Sequence, residues 1–581
     1  MTTAIDELLA GLASFDTRPA IESPDGVIDY AGLIDEVDAL TDRLRREVGA
    51  VAGSRVLIST HHSMGTVIAM LACARAHLTY VPVPPEIPTA RLAHIRDVVQ
   101  PVAHLRDSAK ALVVEKLELS GSYGIPRNAR MPAVVPLAVL HTSGSTGTPK
   151  SVLIAHENLD HFLRWCQTAL PLEGGDRIAL LSPLHFDLCT HDIFHGLGSG
   201  ATLVLPSEFT RTSPQAASAF IDSAAITSAY MVPTFLERVA QSALRSQPDA
   251  RIIRRIMFAG ERLTARGRRL VEEAYPDAVL HNLYGPIETN VITAVRLDRD
   301  HRHDSSEVGP ALPGVTLRVR APDGALTESG RGELVAAGTA VTPGYLDSHQ
   351  NAERFFEAEG QRWYRTGDEA TLSGGAVYLH GRLDNMVKIR GHRVELEEVE
   401  TTIDGLHAVN KAAAIVSPSG DSIDAYIEVA ASASPAEPGQ IQDHIVEHCR
   451  KLLPPVAVPG SVRVVSEMPV TATGKVDRQA LKALQAQSTT PHLPEAAAQP
   501  SSTTNPVDLI THHLAQHLGS APAELNALRA LRDHPRFNSM VAAQCIEAVE
   551  DHLGRAADYD KFTDKSLETI ASMGELFAHH N

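Results

Sequence analysis

The stretch Leu140-His141-Thr142-Ser143-Gly144-Ser145-Thr146-Gly147-Thr148-Pro149-Lys150-Ser151-Val152 concentrates groups able to hold a phosphate. Glycines let backbone N–H groups come close to an anion, the hydroxyls of Thr142, Ser143, Ser145 and Thr146 can donate to phosphate oxygens, and Lys150 adds a point charge. The glycine-to-lysine interval is not that of a Walker A loop, so this is a phosphate grip of another kind; the plain alternative is a polar hairpin turn. A second chemical residue is Asp187, an acid embedded in the apolar run His185-Phe-Asp-Leu-Cys-Thr-His-Asp-Ile-Phe. Burying a carboxylate is costly unless it meets a cation, which a ligand ammonium would supply; otherwise Asp187 caps a helix at Leu188. Lys475 sits in a Thr/Gly turn after an apolar run, a mobile place for a cation, although composition alone makes it a surface lysine.

These groups need elements to position them. Apolar runs at 134–140 and 152–155 predict short strands flanking the phosphate loop. Residues 30–40 and 66–76 read as helices, 55–59 as a strand, and 156–170 as an amphipathic helix; this alternation predicts an α/β sheet. Residues 254–260 read as a strand ending in a glycine, followed by Glu261. His281-Asn-Leu-Tyr-Gly-Pro-Ile-Glu-Thr-Asn is a strand end running into a turn, and the charged tail of the stretch 381–400 reads as a solvated helix start. Residues 397–485 alternate helical and strand patterns, as a compact α+β unit would. Residues 486–505 are rich in Pro, Ser, Ala and Gln without apolar periodicity and read as a linker. Beyond it, 507–518 has helical spacing, and Ala542, Ile546, Val549 and Leu553 line one face of a second helix, with Asn538 or Ser539 a fitting N-cap.

At 581 residues the chain divides into three or four units on a prior of about 150 residues each. Its net charge of −18, from 52 basic and 70 acidic residues, argues against nucleic acid as a partner. The five cysteines are scattered and odd in number, which indicates neither a disulfide framework nor a zinc site, and fits a reducing cytoplasm. No basic start with an apolar run opens the chain and no stretch of about 18 apolar residues occurs, so a soluble protein with no membrane partner is expected.

Taken together and in order, these motifs resemble the adenylate-forming superfamily, which includes nonribosomal peptide synthetase adenylation domains, acyl-CoA synthetases and luciferases; Ser151 departs from the glycine usual there. The resemblance implies a large multi-sheet α/β adenylation subdomain (1–383), a small mobile α+β subdomain (384–485), the linker (486–505) and a small all-α bundle similar to a carrier protein (506–581). It implies an ATP site of Thr142, Ser143, Gly144, Ser145, Thr146, Gly147, Lys150, Gly260, Glu261, Asn282, Tyr284, Asp368 and Arg382. Within it, Tyr284 stacks on adenine, Glu288 positions Mg2+, and Asp368 in Trp363-Tyr-Arg-Thr-Gly-Asp-Glu binds the ribose diol. Asp384 in Gly381-Arg-Leu-Asp becomes the hinge. Lys475 becomes the catalytic lysine alongside Lys150 and Glu288. Ser539 becomes the phosphopantetheine attachment site, although Asn538-Ser539-Met540 replaces the usual Asp-Ser-Leu.

The implied reaction joins an amino acid to AMP and passes it to the thiol of a carrier, in cis or in trans, for downstream biosynthetic enzymes. Position by position, the substrate pocket reads Asp187, Leu188, His191, Tyr230, Met257, Ala259, Leu283, Val291 and Ile292. This is an amine anchor in a mostly apolar lining, similar to proline-activating enzymes, and implies proline or another cyclic or small apolar amino acid. Two alternatives stand beside it: an acyl-CoA synthetase acting on a non-amino acid, and a non-catalytic scaffold derived from a synthetase.

Overall fold

Runs of residues buried on both faces make the inner strands, as in Thr79–Val83 and Lys150–Ala155, where every residue is buried. The structure is a computed structural model. It describes residues 3–108, 111–117, 135–142, 149–246, 252–297, 306–383, 386–429, 438–466, 468–469, 476–488, 505–518, 522, 525, 530–531, 534, 537, 539–553, 557, 559 and 564–577. The predicted positions Ser143, Gly144, Ser145, Thr146, Gly147, Asp384 and Lys475 lie outside these.

Among the described residues, two mixed sheets carry the first half of the chain. One runs in the order Thr293–Leu297, Val279–Tyr284, Arg255–Phe258, Ser228–Met231, Arg177–Ala179, Thr202–Val204, Pro19–Ser23, Gly26–Asp29, parallel inside and antiparallel at both edges. The other places Pro136–Thr142 between Thr79–Val83 and Lys150–Ala155. Helices cover them: Tyr30–Arg43 begins where Asp29 accepts from the Gly32 N–H at 2.8 Å, and Met64–Arg75, apolar all round, is buried along its length. A third, antiparallel sheet follows, in which Gln361–Ser373 pairs with Ala376–Arg382.

The charged tail of 381–400 starts a helix, as expected, but not a solvated one. A hairpin comes first, Met386–Ile389 against His392–Glu395, and the helix begins at Leu396. Glu395 and Glu398 are buried, and Glu398 pairs with Arg91 of helix Thr89–Val99 at 2.7 Å. Beyond lies a sheet of Val409–Val416, Ile423–Val429 and Ser461–Val465 packed with helices Leu396–Asp404 and Pro438–Leu452.

Helices Pro506–Leu518 and Ser539–Leu553 build the C-terminal bundle. Its hydrophobic core is shared: Phe209 and Ala216 of the first half belong to the same buried cluster as Leu514, Ile546 and Val549. Phe209 stacks on Tyr559 at 6.4 Å, and Arg238 pairs with Glu547 at 2.5 Å. None of the helices is long and apolar enough to cross a membrane, among the described residues.

Truncating Phe209 to Ala should therefore loosen the bundle by about 3–5 kcal/mol, the usual cost of emptying a buried aromatic position. Amide exchange should accelerate across Pro506–Leu518 and Ser539–Leu553 while the sheets keep their protection. Acceleration spread evenly over the chain, or none at all, would contradict the shared core.

Candidate active site

Strand pairing sets the mouth of the cleft. Thr142 lies opposite Lys150 on antiparallel neighbours, so both ends of the Ser/Gly/Thr stretch are fixed. Lys150, expected in the loop, is instead the first residue of a strand, 5% exposed, its ammonium 5.8 Å from the Tyr345 ring centre. Burial lowers its pKa, helped by Arg354 and Arg393. Thr142 Oγ1 is buried in the cleft wall with no hydrogen-bond partner among the described residues, an orphan that a phosphate oxygen would satisfy.

Tyr284, at the end of strand Val279–Tyr284, donates its hydroxyl to Asp368 Oδ2 at 2.6 Å. The turn after it needs glycine, because a Cβ on Gly285 would stand 1.6 Å from the Asn290 carbonyl oxygen. Register places Asp368 opposite Arg382, which donates to Asp368 Oδ1 at 3.1 Å and to the Thr366 carbonyl at 2.8 Å. Gly260 lines the cleft, whereas Asn282 braces the strand, donating to the Glu307 carbonyl at 3.0 Å.

Glu288 is wholly buried. Arg393 Nη1 donates to both of its carboxylate oxygens at 3.1 Å, and the Tyr345 hydroxyl donates to Oε1 at 2.7 Å. Burial alone would raise its pKa, but Arg393 and Tyr345 outweigh that and hold the carboxyl below its usual range. A magnesium ion takes oxygen donors, and Glu288 is of that type, yet Arg393 engages both oxygens here. The residues present fit such an ion once Arg393 withdraws.

Arg393 belongs to the hairpin, as do Lys388 and Gly391, which also line the cleft. The Gly391 N–H donates to Glu261 Oε1 at 2.7 Å, and its φ of +79° and a would-be Cβ 2.3 Å from Val232 Cγ1 leave room for glycine alone. Glu261 also accepts from Thr234, so it braces the hairpin against the first half of the chain. Sequence reasoning missed these three residues; the alternation Val387-Lys-Ile-Arg-Gly-His-Arg-Val around one glycine was the available sign of a hairpin.

The inner end of the cleft is lined by Asp187, Leu188, Tyr230, Ala259 and Val291, joined by Phe162 and Asn290, which the sequence did not single out. Met257 and Leu283 lie in the apolar cluster behind this wall, and Ile292 packs into a different cluster with Tyr284. His191 is also behind the wall, buried against Asp192 and His195, its ring edge-on to Tyr230. Asp187 keeps a narrow opening to the cleft, but its surroundings are apolar, and that desolvation pushes its pKa up to about 6 against the pull of Lys388. The arrangement offers a mouth with an unpartnered buried hydroxyl and a buried lysine, a tyrosine ring with a carboxylate beside it, and a mostly apolar inner end with one acid.

Known proteins share this plan. The AMP-binding enzyme family matches residues 12–346, and the AMP-binding enzyme C-terminal domain matches residues 398–475. The chain is 32% identical over 507 residues to an L-proline–[L-prolyl-carrier protein] ligase of Pseudomonas fluorescens, covering 82% of this chain and 98% of that one. The Vibrio cholerae adenylation domain AlmE, solved in complex with glycyl-adenosine-5'-phosphate, is similar with a TM-score of 0.72 at 25% identity, over 84% of this chain and 98% of that chain. Holo-PA1221, an NRPS protein containing adenylation and PCP domains bound to a vinylsulfonamide inhibitor, gives a TM-score of 0.73 at 21% identity. That match spans 99% of this chain and 96% of that chain, so the likeness in fold extends through the C-terminal helices.

Two outcomes follow from the electrostatics. Because the folded pKa of Asp187 is raised from 3.8 to about 6, its contribution to stability is present below 3.8 and lost as pH rises through about 6. Asp187→Asn, which cannot ionise, should melt higher than the parent on the alkaline side of 6 and lose that advantage below 3.8, as calorimetry across pH would read. Arg393→Met strands a buried charge on Glu288 and should lower stability by about 3–5 kcal/mol in denaturant titrations; an unchanged midpoint would mean the pair contributes little.

Proposed function

The chain belongs to the AMP-binding enzyme family, and from that premise we propose that its substrate is proline or a closely related small cyclic amino acid, delivered to a phosphopantetheine thiol. The enzyme is an ATP-dependent adenylating ligase that loads a carrier protein. The amino-acid carboxylate attacks the α-phosphorus of ATP, pyrophosphate leaves, and an aminoacyl-AMP forms; a thiol then attacks the acyl carbon and AMP leaves. Positioning and charge neutralisation supply most of such a phosphoryl-transfer barrier.

The observation that carries the substrate reading is Asp187 at the inner end of a cleft lined there by Phe162, Leu188, Tyr230, Ala259 and Val291, with Asn290 as a neutral polar side chain among them. Ionised Asp187 would hold the ammonium of the amino acid, and the apolar wall suits ring methylenes better than a charged side chain. The likeness to the proline ligase supports the same choice. Thr142, with Ser143, Ser145, Thr146 and Lys150, would hold phosphate oxygens; Tyr284 would face adenine and Asp368 the ribose hydroxyls, exchanging their present mutual hydrogen bond for ligand. When bound, magnesium would neutralise phosphate charge beside Glu288. Arg393 must first leave that carboxylate, so adenylation requires the hairpin in a second position, with Asp384 as the hinge and Lys475 brought to the α-phosphate.

In this reading, Ser539, the first residue of helix Ser539–Leu553, carries phosphopantetheine and receives the aminoacyl group in cis for a downstream biosynthetic enzyme. The test is amino-acid-dependent exchange of labelled pyrophosphate into ATP. Proline should give the largest signal in a panel of amino acids, and Lys475→Ala should lower it by at least about 10²-fold, the scale of losing one transition-state charge contact. A signal confined to glycine or alanine would overturn the cyclic substrate while leaving the ligase intact.

A further inference from the structure

Behind the Tyr230 wall of the cleft lies a polar cluster that the adenylation chemistry does not use. Cys166 sits on helix His156–Ala169, while His191 and His195 sit on a π-helical turn, His191–Gly196. All three are 3% exposed or less, and one ligating atom from each lies within 4.8 Å of the others. The ring nitrogens His191 Nε2 and His195 Nδ1 face each other at 3.2 Å. Two imidazoles bound to one tetrahedral zinc ion at about 2.0–2.1 Å place their nitrogens roughly 3.4 Å apart, so this separation fits a shared cation. The π-helical turn, a local departure frequent at functional sites, is the element that presents the two rings together.

The surroundings fit as well. Asp192 Oδ1 lies 3.0 Å from His191 Nδ1, the carboxylate–histidine arrangement that turns the other imidazole nitrogen toward a metal. Asp192 is wholly buried and its Oδ2 has no hydrogen-bond partner, nor has His195 Nε2. A thiol and a carboxylic acid buried side by side are each driven toward the neutral form, whereas a dication lets both ionise with no net charge. Arg255, whose charge is felt by both His191 and His195, is itself paired with Asp176 at 3.2 Å.

We propose that Cys166, His191 and His195, with Asp192 behind His191, bind one divalent cation of the zinc class. On binding, the Cys166 thiol and the Asp192 carboxyl each lose a proton to solvent, and the Cys166 sulfur bonds the metal; His191 keeps its proton on Nδ1 toward the Asp192 carboxylate and binds through Nε2; His195 binds through Nδ1 with its proton on Nε2. The bound ion fixes His191 and, through the edge-on contact of the His191 ring with Tyr230 at 6.0 Å, stiffens the wall of the cleft.

The untagged full-length protein, stripped of metal and titrated with Co2+ in the absence of ATP and amino acid, tests this independently of the substrate reading. One equivalent should produce a thiolate-to-cobalt charge-transfer band in the near ultraviolet with the visible bands of tetrahedral cobalt, and Zn2+ should displace it. Asp192→Asn should weaken the binding about 10–100-fold while keeping the band, the usual effect of removing a partner behind a metal-bound histidine. Cys166→Ser should abolish the charge-transfer band. A folded parent protein that shows no such band at saturating Co2+, or a band that persists in Cys166→Ser, overturns the site; should Cys166→Ser fail to fold, the parent spectrum and Asp192→Asn decide it.

Discussion

Glu288 has no contact with water, and a buried carboxylate must be neutralised or protonated. Here a guanidinium does it, and that guanidinium comes from Arg393, more than a hundred residues further along the chain. Bringing Arg393 into place sets the hairpin in the cleft, seats Gly391 against Val232 and Glu261, and lays helix Leu396–Asp404 where Glu398 meets Arg91. One ion pair thus ties the small α+β unit to the part of the chain that carries Glu288.

The same accounting extends over the cleft. Asp368 has Arg382 and the Tyr284 hydroxyl, Glu288 has Arg393, and Glu261 has the Gly391 and Thr234 N–H groups. Asp187 feels Lys388 only through space, and it is the carboxyl whose pKa burial raises. Of these four carboxylates, Asp187 alone has no ion pair or side-chain hydrogen bond among the described residues, at the place where a substrate ammonium would arrive. A site built this way favours a ligand that brings its own positive charge and penalises one of the same shape without it.

Much of this was legible in the sequence, and the limits have physical causes. Strand Arg55–Ser59 and helix His156–Ala169 follow directly from local apolar spacing. Pocket positions were harder, because in extended chain adjacent residues point to opposite sides: Val291 faces the cleft while Ile292 enters another core cluster. The charged tail of 381–400 is buried rather than solvated because charges there are paired across the fold, with Arg393 on Glu288 and Arg91 on Glu398, contacts that no local window contains. Lys150 reads as loop by composition, yet tertiary pairing with Thr142 draws it into a buried strand.

The placement of Phe209 and Ala216 in the core of the C-terminal bundle bears on modularity. A bundle that completes its interior with side chains from its neighbour is not a freely exchangeable part. Replacing it with an unrelated bundle would leave Phe209 facing water unless the newcomer offered an apolar surface of matching shape in place of Tyr559. Any exchange of these C-terminal helices thus inherits a constraint written on the far side of the junction, in a short helix some three hundred residues upstream of the bundle.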